Sequence, residues 1–114
     1  MEDYLKSDLV VKSASILAKK DGITIFVKKK GNPDAGIIFV IIDTLNGGVM
    51  LFRRNLNYVI EKNKTFIEYV NVFEEKKVQY SIVEKKIKSE ILIDSDCWVV
   101  EIEDKNGKNY FEGI

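Results

Sequence analysis

Six consecutive apolar residues at positions 37–42, Ile-Ile-Phe-Val-Ile-Ile, set the tightest limit on how this 114-residue chain can fold. A strand that is apolar on both sides is typical of the centre of a sheet, where both faces are covered. The run is far too short to cross a bilayer, which takes about 20 residues of helix. We therefore expect this segment to be a central strand, and we expect no membrane partner.

The segment before this strand has helical periodicity. Apolar side chains recur every three to four residues between positions 10 and 17, as on the buried face of an amphipathic helix. Ser7 or Asp8 is the predicted N-cap, because either side chain can accept a hydrogen bond from the free amides of the first turn. Gly22 is suited to end the helix. We predict a helix over residues 8–21.

Alternation with a period of two predicts most of the strands. Asn46-Gly47 is a strong hairpin signal between two of them, because both residues tolerate a positive φ. A second helix is expected to end near residue 93 and to begin near residue 77, or at the capping-box pair of Ser81 and Glu84. The segment 55–64 is either a short edge strand or a covering loop. The predicted strands are residues 23–28, 37–42, 49–54, 65–72 and 97–104.

The order of these elements, α-β-β-β-β-α-β, indicates an α+β fold. Tight turns between consecutive strands favour antiparallel pairing, because parallel strands need a long crossover between them. We expect a mainly antiparallel sheet of four to six strands with both helices on one face. A chain of 114 residues has room for one ordinary hydrophobic core, so residues 1–114 are expected to form a single domain.

The sequence contains no histidine and one cysteine, Cys97. Serine–histidine–aspartate catalysis, cysteine–histidine catalysis and histidine zinc sites are therefore excluded. A single cysteine cannot form an internal disulfide, which fits a reducing compartment. The first residues show no basic-then-apolar signal segment. We expect a cytoplasmic protein without a cofactor, and these residue types favour a non-catalytic role over an enzymatic one.

Three stretches of the chain resemble a bacterial family of uncharacterised proteins, the domain of unknown function 1491. They are Leu5-Lys6-Ser7-Asp8, Lys29-Lys30-Gly31-Asn32-Pro33-Asp34-Ala35-Gly36 and Asp94-Ser95-Asp96-Cys97-Trp98-Val99-Val100-Glu101-Ile102-Glu103-Asp104. The departures are small: Asn32 stands where the family tends to have Asp, Ser95 replaces Pro, and Cys97 replaces Leu. The resemblance spans nearly the whole chain, and it implies a shared domain without implying any activity.

Basic residues form one candidate site, for an anion or a nucleic acid. Glycine-rich turns such as residues 31–36 can direct main-chain amides at an anion, and arginines next to aromatic residues occur in nucleic-acid sites. If the hairpin pairing is as expected, the two basic groups lie on adjacent strands. The alternative for residues 31–36 is a hairpin turn that Asp34 closes with a local hydrogen bond. The candidate residues are Lys28, Lys29, Lys30, Asn32, Arg53 and Arg54.

Acidic residues form the other candidate site. Glu101 and Glu103 are two positions apart on a predicted strand, so both side chains point to the same face. Together with Asp34 they have the oxygen ligands that Mg²⁺ prefers, which points to a metal-dependent hydrolase or nuclease. The alternative is a solvent-facing strand edge whose charges discourage pairing with another sheet.

Three functions remain open from the sequence. The first is a non-catalytic module that binds another protein, which a compact sheet can do through an exposed face or edge. The second is RNA binding through the basic residues at positions 28–30 and 53–54, which would weaken steeply with salt. The third is hydrolysis at the acidic residues. The identity of the partner and the oligomeric state have no sequence signal.

Overall fold

A computed structural model describes residues 5–114 of the chain. The α+β fold and the predicted order of elements are confirmed, although several boundaries differ. Segment 55–64, which the sequence left open, continues a strand and then turns back. The elements are α1 (Ser7–Lys20), β1 (Ile25–Lys29), β2 (Ile38–Asp43), β3 (Val49–Val59), β4 (Lys64–Asn71), α2 (Tyr80–Ile93) and β5 (Trp98–Glu103), with a short 3₁₀ turn at Ile60–Lys62.

The five strands form one sheet in the order β1-β5-β2-β3-β4. Three neighbouring pairs are antiparallel, as expected, but β2 and β5 are parallel. The parallel pair is possible because α2 lies between β4 and β5 in the chain and provides the long crossover that such pairing needs. Strand β5 therefore lies inside the sheet, and β1 and β4 form its two edges.

The two helices cover opposite faces of the sheet, whereas the sequence led us to expect both on one face. Ile38, Val40 and Ile42 of β2 belong to the same buried cluster as α1. Phe39 and Ile41, which point the other way, belong to the cluster that contains α2. Because β2 is apolar on both faces, each face needs its own cover, and one helix packs on each.

Neither helix has a side-chain N-cap. Helix α2 begins at Tyr80 with Gln79 as its N-cap residue, so Ser81 lies inside the first turn and the capping-box start is not used. Helix α1 begins at Ser7, and its first amides bond to main-chain oxygens of a distant loop. Within residues 5–114, no helix is long and apolar enough to span a membrane.

Strands β3 and β4 extend beyond the rest of the sheet. Pairing between β2 and β3 ends at Arg53, whereas β3 and β4 stay paired as far as Val59 and Lys64. Asn63 closes the tip in the left-handed conformation, with φ of 47°. We call the two-stranded part beyond β2, residues 54–69, the hairpin arm.

Candidate functional site

Three stretches that are far apart in the sequence meet at the end of the sheet where β2 and β5 begin. The indole Nε1 of Trp98 donates to the main-chain oxygen of Asn32 at 2.7 Å. The ammonium group of Lys29 donates to the main-chain oxygen of Cys97 at 2.9 Å. The hydroxyl of Ser7 donates to the main-chain oxygen of Gly36 at 2.6 Å. We call residues 5–8, 29–36 and 94–98 the junction.

The junction also explains why the predicted caps of α1 are wrong. The amide of Asp8 donates to the main-chain oxygen of Pro33 at 3.0 Å, and the amide of Ser7 donates to that of Asp34 at 3.4 Å. These carbonyls take the place of a capping side chain. The Ser7 hydroxyl is therefore free to hold Gly36 instead.

The glycine-rich loop at residues 31–36 has a structural role. A Cβ atom at Gly31 or Gly36 would lie 2.3 Å or 2.5 Å from the main-chain oxygen of Asp96, so only glycine fits against β5. The side-chain oxygen of Asn32, rather than that of Asp34, closes the loop by accepting from main-chain amides. The amide of Asn32 itself donates to Asp96. These main-chain groups are used inside the protein, which disfavours an anion cradle.

The predicted basic site is split by the topology. Lys28 and Lys29 lie on β1, and Lys30 follows them, whereas Arg53 and Arg54 lie on β3. Strands β5 and β2 separate the two groups, so the expectation that they share adjacent strands is wrong. The structure does not bring these side chains together as one cationic face.

Two of the basic residues have structural partners. Lys29 donates to main-chain oxygens of the junction. Arg54 is buried, with 7% of its surface exposed, and its Nε donates to the main-chain oxygen of Ile114 at 2.9 Å. Lys28, Lys30 and Arg53 remain exposed, and Lys28 lies 4.0 Å from the carboxylate of Glu101.

The three carboxylates predicted as a metal site have different surroundings. Asp34 is exposed and pairs with Lys6 at 3.6 Å. Glu101 is only 6% exposed, and Glu103 is exposed at the end of β5. Across residues 5–114, no group of three or more Cys, Asp and Glu side chains is arranged to hold a metal ion.

Glu101 is the member of this set with an unexpected environment. It lies on an interior strand, so the solvent-facing edge proposed from the sequence does not describe it. The hydroxyl of Tyr80, the first residue of α2, donates to its carboxylate. Burial and this carboxylate raise the pKa of the Tyr80 hydroxyl. Tyr80 and Glu101 are 21 residues apart in the sequence, and no local pattern connects them.

A cleft of about 280 Å³ separates the junction from the hairpin arm. It opens where β2 begins, because the chain before Ile38 turns away towards α1 while β3 continues straight on. Leu5 and Ala35 line one wall. Arg53 and Leu56 line the other. The cleft therefore combines apolar side chains with the exposed guanidinium group of Arg53 and the carboxylate of Asp34.

The hairpin arm exposes several large apolar side chains. Leu56 is 42% exposed, Tyr58 is 59% exposed and Ile60, at the tip, is 80% exposed. Phe66 on β4 is also exposed. The strand alternation that predicts β4 gives no sign of this surface, because the same pattern usually describes a strand with one face in the core.

Comparisons with known proteins relate the chain to a family of unknown function. A crystal structure of a DUF1491 family protein from Caulobacter crescentus is similar, with a TM-score of 0.75, 25% identity, and coverage of 96% of this chain and 94% of that one. A solution structure of a protein from A. tumefaciens has a TM-score of 0.70 and 27% identity, and the match covers 87% of this chain and 85% of that one.

An NMR structure of a DUF1491 family protein from Caulobacter crescentus, at 24% identity, has the same fold with a TM-score of 0.75. No curated protein matches the chain. The family model described as "Protein of unknown function (DUF1491)" matches residues 5–112. That range includes the junction, the cleft and the hairpin arm. The chain therefore belongs to the DUF1491 family.

Proposed function

We propose that this protein is a non-catalytic cytoplasmic module that binds another protein through its hairpin arm. One observation carries the proposal: the arm extends past the sheet and presents Leu56, Tyr58 and Ile60 to solvent. Exposed apolar side chains that cluster on one projecting element are a common feature of protein-binding surfaces. Aromatic residues are also enriched at the centres of such surfaces.

The arm is suited to binding because its shape is maintained without the partner. It is paired along its whole length from Arg54–Tyr69 to Val59–Lys64. The side chain of Asn57 donates to Glu68 across the two strands, and the Tyr58 hydroxyl donates to Asn63 at the tip. A preformed surface loses less conformational entropy on binding than a flexible one.

RNA binding has less support than protein binding. Strands β5 and β2 separate the two basic groups, and the buried guanidinium of Arg54 is bonded to the Ile114 main-chain oxygen. Binding to the phosphate backbone of RNA requires basic side chains that lie along the same surface. Loss of all captured partners after nuclease treatment would nevertheless favour RNA over protein as the binding partner.

The test is affinity capture of the tagged protein from its own cytoplasm, with and without nuclease, followed by mass spectrometry. A Tyr58→Ser/Ile60→Ser variant removes the apolar surface of the arm. A Leu92→Ser/Ile93→Ser variant is the matched control, because those two side chains are also largely exposed but lie at the end of α2.

We expect a near-stoichiometric protein that survives nuclease, is lost from the arm variant and is retained by the control variant. Thermal unfolding of both variants checks that the fold is intact. Equal capture by the arm variant and the parent protein would overturn the proposal.

A further inference from the structure

We propose that the partner adds a β-strand to the open side of β3, and that this strand carries alternating apolar and acidic side chains. The inference rests on the proposed protein-binding function and specifies how the hairpin arm would bind. Strand β2 pairs with β3 only as far as Arg53. Within residues 5–114, the remaining six residues of β3, which end at Val59, have β4 on one side and the cleft on the other.

The direction of the main-chain groups of β3 follows from one hydrogen bond. The oxygen of Leu51 accepts from the amide of Val72, on the β4 side. In an antiparallel strand, successive residues direct their N–H and C=O groups to alternate sides. The main-chain N–H and C=O groups of odd-numbered residues in β3 therefore point towards β4. Those of even-numbered residues point towards β2 or, beyond it, towards the cleft. Beyond the last pairing with β2, Leu56 and Tyr58 direct two amides and two carbonyls towards the open side.

This open side lacks the features that usually protect a strand edge. Natural sheets block unwanted pairing with bulges, prolines and charged side chains. Strand β1 has such features, since its register shifts at Lys28, next to two further lysines. Strand β4 carries Lys64 and Glu68 along the outer edge. By contrast, β3 is regularly paired with β4 through positions 55–59 and has no charged residue there.

The two faces of the open edge differ in chemistry. Leu56 and Tyr58 lie on the α1 face, where Leu5 also lines the cleft. Arg53 lies on the α2 face, because it pairs with Phe39, which belongs to the cluster around α2. The side chains of an added strand point to the two faces in turn. Apolar residues would therefore contact Leu56 and Tyr58.

An acidic residue on the other face would lie beside Arg53. The guanidinium of Arg53 is exposed and forms no ion pair with residues 5–114. Two acidic residues share a cavity with Arg53, and both are paired with lysines. Asp34 lines the cleft and pairs with Lys6 at 3.6 Å, and Glu90 lines the adjoining hollow and pairs with Lys86 at 3.2 Å. A carboxylate from the partner would complete this site with a charge-assisted hydrogen bond.

The probe is an acetylated and amidated heptapeptide of alternating valine and glutamate, titrated into the ¹⁵N-labelled full chain. We expect chemical-shift changes along β3, with amide exchange at Leu56 and Tyr58 slowed about tenfold or more at saturation, because strand addition protects these amides. A peptide of the same sequence with N-methyl groups on alternate amides is the backbone control and should bind far more weakly.

The charge of the partner is tested with Arg53→Glu, and Lys12→Glu on the exposed side of α1 serves as its control. We expect Arg53→Glu to weaken binding of the glutamate peptide about tenfold and to favour a peptide with lysine in place of glutamate. Lys12→Glu should leave both affinities unchanged.

Three results would overturn the inference: no binding of the glutamate peptide, shift changes confined to another surface, or equal binding of the N-methyl peptide. Slow exchange at Leu56 and Tyr58 without peptide, with a doubled mass in solution, would identify a second copy of the chain as the occupant and would also overturn it. If the captured protein is lost from the Tyr58→Ser/Ile60→Ser variant but retained by Arg53→Glu, protein binding stands and the acidic strand is rejected.

Discussion

Gly36 shows how a single residue can determine whether distant segments meet. It has no side chain because a Cβ atom would lie 2.5 Å from the main-chain oxygen of Asp96 and 2.8 Å from that of Asn32. Its own oxygen accepts from the Ser7 hydroxyl. The loop therefore fits between α1 and β5, and its glycines serve close packing rather than ligand binding.

We predict that Gly36→Ala lowers the free energy of unfolding by about 2 kcal/mol, because the methyl group must displace main-chain atoms of the junction. Urea denaturation monitored by Trp98 fluorescence measures the effect, since the indole ring packs against the same loop. Ala35→Ser, at an exposed neighbouring position, should change stability little. A Gly36→Ala variant as stable as the parent would show that the loop can move away from β5.

At the scale of elements, Tyr80 and Glu101 hold α2 on the sheet. The helix buries Val83 and Ile87, and its first residue donates a hydrogen bond to a carboxylate on β5. Glu101 is almost fully buried, so losing this donor would leave a poorly solvated charge. Lys28 lies on the exposed edge strand at 4.0 Å, a distance at which it compensates only weakly.

We predict that Tyr80→Phe costs about 2 kcal/mol of stability, as expected when a buried carboxylate loses a donor. Amide exchange in α2 should become faster than in α1. The double variant Tyr80→Phe/Glu101→Leu should regain most of the loss, because neither polar group then remains buried. Tyr110→Phe, whose partner Asp21 is exposed, should cost less. Additive losses in the double variant would contradict the coupling between the two residues.

For the molecule as a whole, tyrosines dominate the response to alkaline pH. Burial raises the pKa of the Tyr69 hydroxyl, although the neighbouring Arg54 guanidinium partly opposes this shift. Burial and Glu101 raise the pKa of Tyr80. The Asp21 carboxylate, which accepts a hydrogen bond from the Tyr110 hydroxyl, raises the pKa of Tyr110 to about 12. The folded protein therefore holds these hydroxyls in the neutral form.

A hydroxyl whose pKa is raised in the folded state stabilises the fold fully at any pH below its pKa in the unfolded chain, which is about 10 for tyrosine. This stabilisation is lost as the pH rises towards the pKa in the folded state. We predict nearly constant stability from about pH 6 to 8, because the chain has no histidine, and a steep decline above about pH 10. Urea denaturation at each pH measures the curve. Tyr69→Phe should make the alkaline decline shallower, and an unchanged slope would contradict this assignment.

The acid side of the same curve has a separate cause. The Tyr110 hydroxyl, together with Lys108, lowers the pKa of the Asp21 carboxyl group. A lowered carboxyl pKa contributes stability above the unfolded value of about 4 and loses it as the pH falls below that value. We predict that Tyr110→Phe reduces the loss of stability between about pH 4 and 2, as denaturation at acid pH would show. If the free energy of unfolding fell equally with pH in the parent protein and in the variant, this prediction would be contradicted.

Much of the local structure could be predicted from the sequence because its causes are local. The spacing of apolar residues is a property of neighbouring positions, and it identified all five strands and both helices. Where a cause was distant, the prediction was wrong. Ser7 has the chemistry of an N-cap, but Pro33 and Asp34 supply the carbonyls that bond to the first amides of α1.

The candidate sites show the same division. Lys28 and Arg53 were predicted to share one basic site on adjacent strands, but two strands lie between them in the sheet. Glu101 was recognised as a strand residue, whereas its burial depends on α2 and Tyr80. The cleft depends on where β2 begins beside β3, which no spacing along the chain records.

The sequence was sufficient for the order and type of the main helices and strands, the α+β class and the exclusion of histidine chemistry, because residue types and their period decide these properties locally. The apolar run at residues 37–42 also required cover on both faces of the sheet, although only the structure assigned one helix to each. Strand order, the burial of Glu101 and the open edge of β3 came from the tertiary structure alone. They depend on which segments pack together after long crossovers, and neighbouring residues carry no record of that choice.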